Sequence, residues 1–295
     1  MKITPGTIVV GVDGSPSATS ALEWAAAQAR AEHRPITLVH AVGAVSPAWI
    51  DEAIADSREA NLGLRQQAQA VLDAAHGIVT KHAPTVEVHE HFRLEDPREV
   101  LLELSATAEM IVVGSRGRGP VRRLLLGSVG VALIRHAECP VVVHRPGKPG
   151  AVHQGVAVGA DGSPESDVVL EFAYRQAALR DLPLTVVHCA WDVPFPVPTI
   201  QSGAATEERA EEERLLLSEA MAGLGEKYPE VRVQVELAHG MPENALVAAS
   251  EKMNLLVLGT RQQKLSTRLI HGSVSLSVLE HALGVVAVVP LIDRS

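Results

Sequence analysis

Short apolar runs rich in Val and Ile alternate along this chain with longer segments whose apolar residues recur at helical spacing. Thr7 to Val12 reads as a buried strand bounded by glycine. Ser15 is placed to cap a helix with Pro16 in its first turn, where a missing N–H costs nothing. Leu22, Ala25, Ala26 and Ala29 form that helix's inward stripe. Ile36 to Val42 reads as a second strand and Val86 to Phe92 as a third, more polar one. Pro97 opens a short helix carrying Val100, Leu101 and Leu104. Met110 to Gly114 is a strand, Leu126 to His136 a helix and Val141 to His144 a closing strand. Five strands with intervening helices predict an α/β fold with a doubly wound parallel sheet, Rossmann-like in plan. Ligands of such sheets sit beyond the carboxyl ends of the strands, where the strand order reverses.

The second half repeats the first. The segment from Ile8 to His40 and that from Val156 to His188 are identical at about half their positions. Asp13 answers to Asp161 and His40 to His188, and GSRGRGPVRRLLLGSV from Gly114 answers to GTRQQKLSTRLIHGSV from Gly259. Prolines and glycines from Arg145 to Gly150 read as a linker. The expected domains are therefore 1–146 and 154–295, joined by 147–153.

Composition narrows the class. Hydrophobic residues make up 46% of the 295 residues and aromatic ones 3%, so the cores are built from Val, Leu, Ile and Ala. A net charge of −9 argues against nucleic-acid or anionic-membrane partners. No apolar run reaches the roughly 18 residues of a membrane span, and the start lacks the apolar core of a signal peptide. These readings predict a cytoplasmic protein in a reducing compartment. Cys139 and Cys189 then read as buried free thiols, an isolated disulfide being the alternative.

Against this acidic background, Val112 to Gly130 holds four arginines and five glycines. A flexible surface loop is one reading and a phosphate cradle the other. No GxxxxGK[ST] string occurs, and the first strand is followed by GVDGSP rather than GxGxxG, so both familiar phosphate loops are set aside. What remains is Gly114, two residues, Gly117, nine residues, then Gly127 and Ser128. Glycines permit close backbone approach, and a helix start presents unpaired N–H groups with a positive dipole. Arg116, Arg118, Arg122 and Arg123 would offset polyphosphate charge.

In this spacing, and in the strand–Asp–Gly–Ser opening, the chain resembles the universal stress proteins in their tandem two-domain form. The resemblance covers nearly the whole chain and implies an ATP site, with or without Mg. It implies that Asp13, beside Gly11 and Val12, hydrogen-bonds the nucleoside, and that backbone near Ala41 contacts adenine. Ribose and phosphates would be held by Gly114, Ser115, Arg116, Gly117, Arg118, Gly119 and Pro120, then Gly127, Ser128 and Val129. The counterparts in the second copy are Gly159, Ala160, Asp161, Gly259, Thr260, Arg261, Gly272, Ser273 and Val274. There the pattern is degraded: Gln262 stands where Gly117 does, although Arg261 and Arg268 match Arg116 and Arg123.

The other polar features have plainer readings. His89 and His91 share a strand face as a metal pair could, but no third ligand is identifiable, and no metal site is expected. His40 and His188 are expected to support the strand ends. Asp51, Glu52 and the run from Glu207 read as solvated helix faces. Asp13-Gly14-Ser15 could simply turn the chain and cap the helix. No catalytic residue is singled out. The leading function is an ATP-binding, non-catalytic stress or dormancy regulator. The alternatives are a slow ATPase or adenylyl-transfer enzyme, and a nucleotide-free interaction module. The two halves are expected to pair with each other through their closing strands, Pro140 to His144 and Val285 to Val289. A homodimer is a further expected assembly.

Overall fold

The structure is a computed structural model, and it describes residues 3–43, 56–117, 126–147, 154–190, 203–261 and 274–291. The chain divides into two compact units, Met1–His144 and Arg145–Ser295. Each is a five-stranded parallel sheet with helices wound over it.

In the first unit the elements are β1 (Ile8–Gly11), α1 (Pro16–Glu32), β2 (Ile36–Ala41), α2 (Asp56–His82) and β3 (Val88–Arg93). They continue as α3 (Pro97–Ser105), β4 (Met110–Gly114), α4 (Ser128–His136) and β5 (Val141–His144). The strand order is β3-β2-β1-β4-β5. β1 lies between β2 and β4, with Ile8 opposite both Ile36 and Met110. A central parallel strand is covered on both faces, so it must be apolar throughout, and Ile8, Val9 and Val10 are fully buried. β3 stands at the edge of the unit, and all six of its residues are half-buried.

Local signals place the helices. Ser15 has extended backbone and its Oγ accepts from the Ala18 N–H at 3.2 Å, so α1 begins at Pro16 as expected. The expected inward stripe is buried, together with Ala18, Ala21 and Gln28. Gln28 is satisfied by donating to Glu32 at 2.8 Å. Asp96 caps α3 by accepting from the Arg98 N–H at 2.8 Å. α4 starts at Ser128, two residues later than the apolar pattern suggests, because Gly127 is extended and serves as the cap position. β3 starts at Val88 because Val86 closes a turn onto the Ala83 carbonyl. α1 lies over β4, β1 and β5 and packs against α2, which covers β2 and β3, while α3 pairs with α4.

The second unit runs β6 (Val156–Gly159), a 3-10 turn at Pro164–Ser166, α5 (Asp167–Leu179), β7 (Leu184–Ala190), α6 (Gly203–Lys227) and β8 (Val233–His239). Then follow α7 (Pro242–Ser250), β9 (Leu255–Arg261), α8 (Val274–His281) and β10 (Val285–Leu291). Its order, β10-β9-β6-β7-β8, repeats the first. Arg145 belongs to this unit. Its buried guanidinium donates to the carbonyls of Ala282 (2.6 Å) and Glu280 (3.1 Å), satisfying the end of α8. Among the described residues no helix is long and apolar enough to cross a membrane.

One close approach organises the first unit. A Cβ on Gly114 would lie 2.6 Å from both the carbonyl carbon and the hydroxyl of Ser17. Gly114→Ala is therefore expected to destabilise the unit by about 1–3 kcal/mol through overpacking against backbone. Denaturant unfolding checks this, and a change below about 0.5 kcal/mol would contradict the contact.

Both cysteines are free, Cys139 buried and Cys189 half-buried. Burial pushes the Cys139 thiol up to about 12 from 9.0, so its thiolate fraction is roughly a thousandfold below that of an ordinary thiol. Native Cys139 is expected to resist iodoacetamide at pH 8 and to react once the chain is unfolded. Peptide mass mapping reads the difference, and prompt native labelling would refute the burial.

Candidate functional site

β1 is the point from which the sheet of the first unit is wound in two directions, to β2 on one side and β4 on the other. The chain leaving β1 and the chain leaving β4 therefore diverge, and a cleft opens between them. Its walls are Val12 to Ser17 and Gly114 to Gly117.

The β1 wall is a tight turn. Asp13 Oδ1 accepts from the Ser15 N–H at 2.9 Å, and Gly14 takes φ +74°, a conformation that favours glycine. The turn is also a clasp to the opposite wall. Ser15 Oγ donates to the Arg116 carbonyl and the Arg116 N–H donates to Ser17 Oγ, both at 3.4 Å. Gly117 completes the approach: a Cβ there would stand 2.8 Å from Asp13 Oδ2. The glycine loop thus faces the carboxylate that the sequence singles out.

Farther along, the Ser115 N–H donates to the His144 carbonyl and the Ser115 carbonyl accepts from the Gly127 N–H. This joins the start of α4 to the end of β4. Gly127 carries no side chain to cap α4, and no acidic residue sits in the helix's first turn. Among the described residues no side chain caps the N–H groups around Ser128 and Val129, which suits them to an acceptor. Ser115 itself is 1% exposed, and its hydroxyl has no hydrogen-bond partner among the described residues. A buried hydroxyl left in that state costs about 1–3 kcal/mol.

Gly11, Val12, Asp13, Gly114, Ser115, Arg116, Gly117, Gly127, Ser128 and Val129 are thus gathered at one end of the sheet. Ala41 ends β2, one strand away from β1, and is half-buried opposite Arg93. Arg118, Gly119, Pro120, Arg122 and Arg123 lie outside the described residues. A cavity of about 440 Å³ adjoins the Asp13 turn, lined by Val12, Gly14, Ala18, Thr19 and Leu22 together with the facing side of α2. The sequence reading did not foresee it. Its only signal there is small and apolar side chains at helical spacing on both helices.

The repeated histidines support the turns. His40 Nδ1 lies 2.6 Å from the Val12 carbonyl, and His188 Nδ1 lies 2.9 Å from the Ala160 carbonyl. A carbonyl only accepts, so each ring carries its proton on Nδ1. Each histidine thereby holds the residue just before the Asp of its turn. His40 also stacks on Phe92, with centroids 6.1 Å apart.

In the second unit, Asp161 Oδ1 accepts from the Ser163 N–H at 3.0 Å and from the Ser166 hydroxyl at 2.6 Å. Gly159 and Ala160 lead into that turn, with the Ala160 N–H bound to the Val187 carbonyl. Gly259, Thr260 and Arg261 end β9, and Val274 opens α8. The Gly259 carbonyl accepts from Ser275 Oγ at 2.6 Å. Gln262, Arg268, Gly272 and Ser273 lie outside the described residues.

Among the described residues no group of three or more His, Cys, Asp or Glu is placed to hold a metal. His89 sits 3.4 Å from Glu87, and burial, followed by the charges of His89 and Arg93, lowers the pKa of His91. Glu211 and Glu212 of the acidic run are exposed on α6, while Asp51 and Glu52 lie outside the described residues.

Comparison with known proteins agrees with this plan in both units. A family model described as the universal stress protein family matches residues 5–145 and again 154–290. A universal stress protein of Mycolicibacterium smegmatis is 35% identical over 290 residues, covering 96% of each chain. One from Mycobacterium tuberculosis is 35% identical over 282 residues, covering 93% of this chain and 94% of the relative. Among solved structures, a universal stress protein from Archaeoglobus fulgidus aligns with TM-score 0.66 at 21% identity, covering 98% of this chain and 97% of that one. With two matched domains spanning nearly its whole length, the chain belongs to the universal stress protein family.

Proposed function

We propose that the first unit binds ATP at the cleft between the Asp13 turn and the glycine loop, and that the protein works as a nucleotide-dependent switch. The observation that carries this is the facing of Gly117 and Asp13 Oδ2, with the start of α4, which no side chain caps among the described residues, at the same end of the sheet. A carboxylate accepts hydrogen bonds from nucleoside hydroxyl or amine groups. The α4 N-terminus, with Ser128 at its first position, suits the phosphates by its unpaired N–H groups and its dipole. Arg116 adds positive charge on the same loop. The Ser115 hydroxyl, on the residue that follows Gly114, is one more buried polar group on this loop. Membership in the family, with the complete Gly114–Gly117–Gly127–Ser128 spacing, supports the same reading.

The regulatory part of the proposal needs only differential binding. ATP that favours one arrangement of the loop shifts the chain toward that arrangement, without turnover. The 440 Å³ cavity beside Gly14 gives the Asp13 turn room to move on the α1 side.

The test replaces glycines at the cleft. Among the described residues, a Cβ at Gly127 would find its nearest neighbour at 3.8 Å, and one at Gly117 would meet only the side chain of Asp13. Gly117→Ala with Gly127→Ala is therefore expected to fold while placing methyl groups in the phosphate path. Calorimetry should show ATP affinity at least tenfold weaker, about 1.4 kcal/mol. Unchanged affinity in the folded double variant would remove the glycine loop from the site. ATP is also expected among the small molecules released on denaturing the freshly purified protein, read by mass spectrometry.

A further inference from the structure

We propose that Ser166, together with Glu165, keeps nucleotide polyphosphate out of the second unit, so that the chain takes up one ATP, in its first unit. This rests on the ATP reading above and goes beyond it by assigning occupancy to one of two similar clefts.

The two turns can be compared residue by residue. Ser15-Pro16-Ser17-Ala18-Thr19 in the first copy answers to Ser163-Pro164-Glu165-Ser166-Asp167 in the second. At the fourth position a methyl group has become a hydroxyl. Ser166 is buried, and its hydroxyl donates to Asp161 Oδ1 at 2.6 Å, where the Ser163 N–H already donates at 3.0 Å. Ala18 has nothing to offer Asp13, whose Oδ2 faces the glycine loop instead. Both carboxylates accept from the N–H of their own turn, and in the second unit the Ser166 hydroxyl adds a further bond to the same oxygen. A hydroxyl shielded from water holds such a charge-assisted bond firmly.

The same substitution changes the helix start. In the first unit Ser15 Oγ caps α1, which is α-helical from Pro16. In the second, Ser163 makes no such cap, and its hydroxyl lies 3.4 Å from that of Ser166. The Ser166 N–H closes a 3-10 turn onto the Ser163 carbonyl at 2.9 Å, and α5 begins only at Asp167. The close approach of the first unit is also absent. A Cβ on Gly259 would meet Val169 and Leu291 side chains, where one on Gly114 would meet the Ser17 backbone.

Charge acts in the same direction. Ser17, whose hydroxyl accepts from the loop N–H of Arg116, is replaced by Glu165, and Thr19 by Asp167; both carboxylates are exposed. The start of the second cleft thus carries Asp161, Glu165 and Asp167 where the first carries Asp13. A triphosphate approaching that turn meets two additional like charges within one helical turn.

Native mass spectrometry of the full chain, titrated with ATP to saturation, reads the occupancy. One ATP per chain is expected, lost in the Gly117→Ala, Gly127→Ala variant. Two ATP bound with equal affinity would overturn the assignment while leaving the ATP reading intact, as would a single ATP that survives the double variant. No ATP bound to the parent at saturation would overturn both. The positional claim is tested by moving the hydroxyl into the first unit. Ala18→Ser is expected to weaken ATP at least tenfold with little change in melting temperature, whereas Ala18→Cys, similar in size but a poor donor, should stay within about threefold of the parent. Equal affinities of Ala18→Ser and the parent would remove Ser166 from the explanation.

Discussion

The first cleft depends on one steric allowance, the missing side chain of Gly114. It lets the backbone of Ser17 rest against the end of β4, closer than any Cβ would permit. That contact sets the height of α1 over the sheet and so brings the Asp13 turn level with the chain leaving β4. The paired bonds between Ser15, Ser17 and Arg116 are each long at 3.4 Å and would not hold two loops together alone. They instead register two backbones already forced together by packing. Hydrophobic burial of the small-residue face of α1 supplies the force, and the glycine removes the obstacle.

From this constraint the division of labour follows. Ala21, Ala25, Ala26 and Ala29 are fully buried, so α1 is held close and rigid along its length. The polar contacts that α1 makes with the chain leaving β4 come from Ser15 and Ser17 at its start, where orphan N–H groups need acceptors anyway. The second copy keeps the apolar pattern, with Val169, Leu170, Ala173 and Ala177 buried, but changes the first turn. Core and cleft are therefore separable. The core tolerates any apolar set of suitable volume, whereas the cleft turns on single hydroxyl and methyl groups.

Strand positions were legible because a parallel sheet covered on both faces demands uninterrupted Val and Ile runs, and Ile8–Gly11, Met110–Gly114 and Val141–His144 supply them. The start of α1 was legible because Ser15 and Pro16 carry their own local chemistry. Boundaries that depend on one backbone angle were not: Gly127 sits extended, so α4 begins after it, though Leu126 continues the apolar pattern. The cleft was legible only as a set of candidates. That Asp13 faces Gly117, or that His40 holds the Val12 carbonyl, joins residues 104 and 28 positions apart, and no periodicity encodes such a meeting. The recurrence of histidine in both copies hinted at a shared task, and the task proves to be holding the turn.

The repeat itself turns these local contacts into a comparison that one domain could not provide. Two copies share strand order, histidine bond and Asx turn, so none of those features distinguishes them. The differences lie where the chain meets the cleft: Ser17 against Glu165, Ala18 against Ser166, and Gly130 against the Ser275 that binds the Gly259 carbonyl. Each replaces a small or neutral group by one that adds charge or satisfies a polar atom internally. A polar group satisfied within the protein has less to gain from a ligand, because binding must first break the existing bond. In the first unit the balance is reversed. Among the described residues no side chain caps the N–H groups at the start of α4, and the buried Ser115 hydroxyl has no partner. Groups of this kind cost free energy while unpaired, and on the proposed reading a polar ligand that paired them would recover that cost.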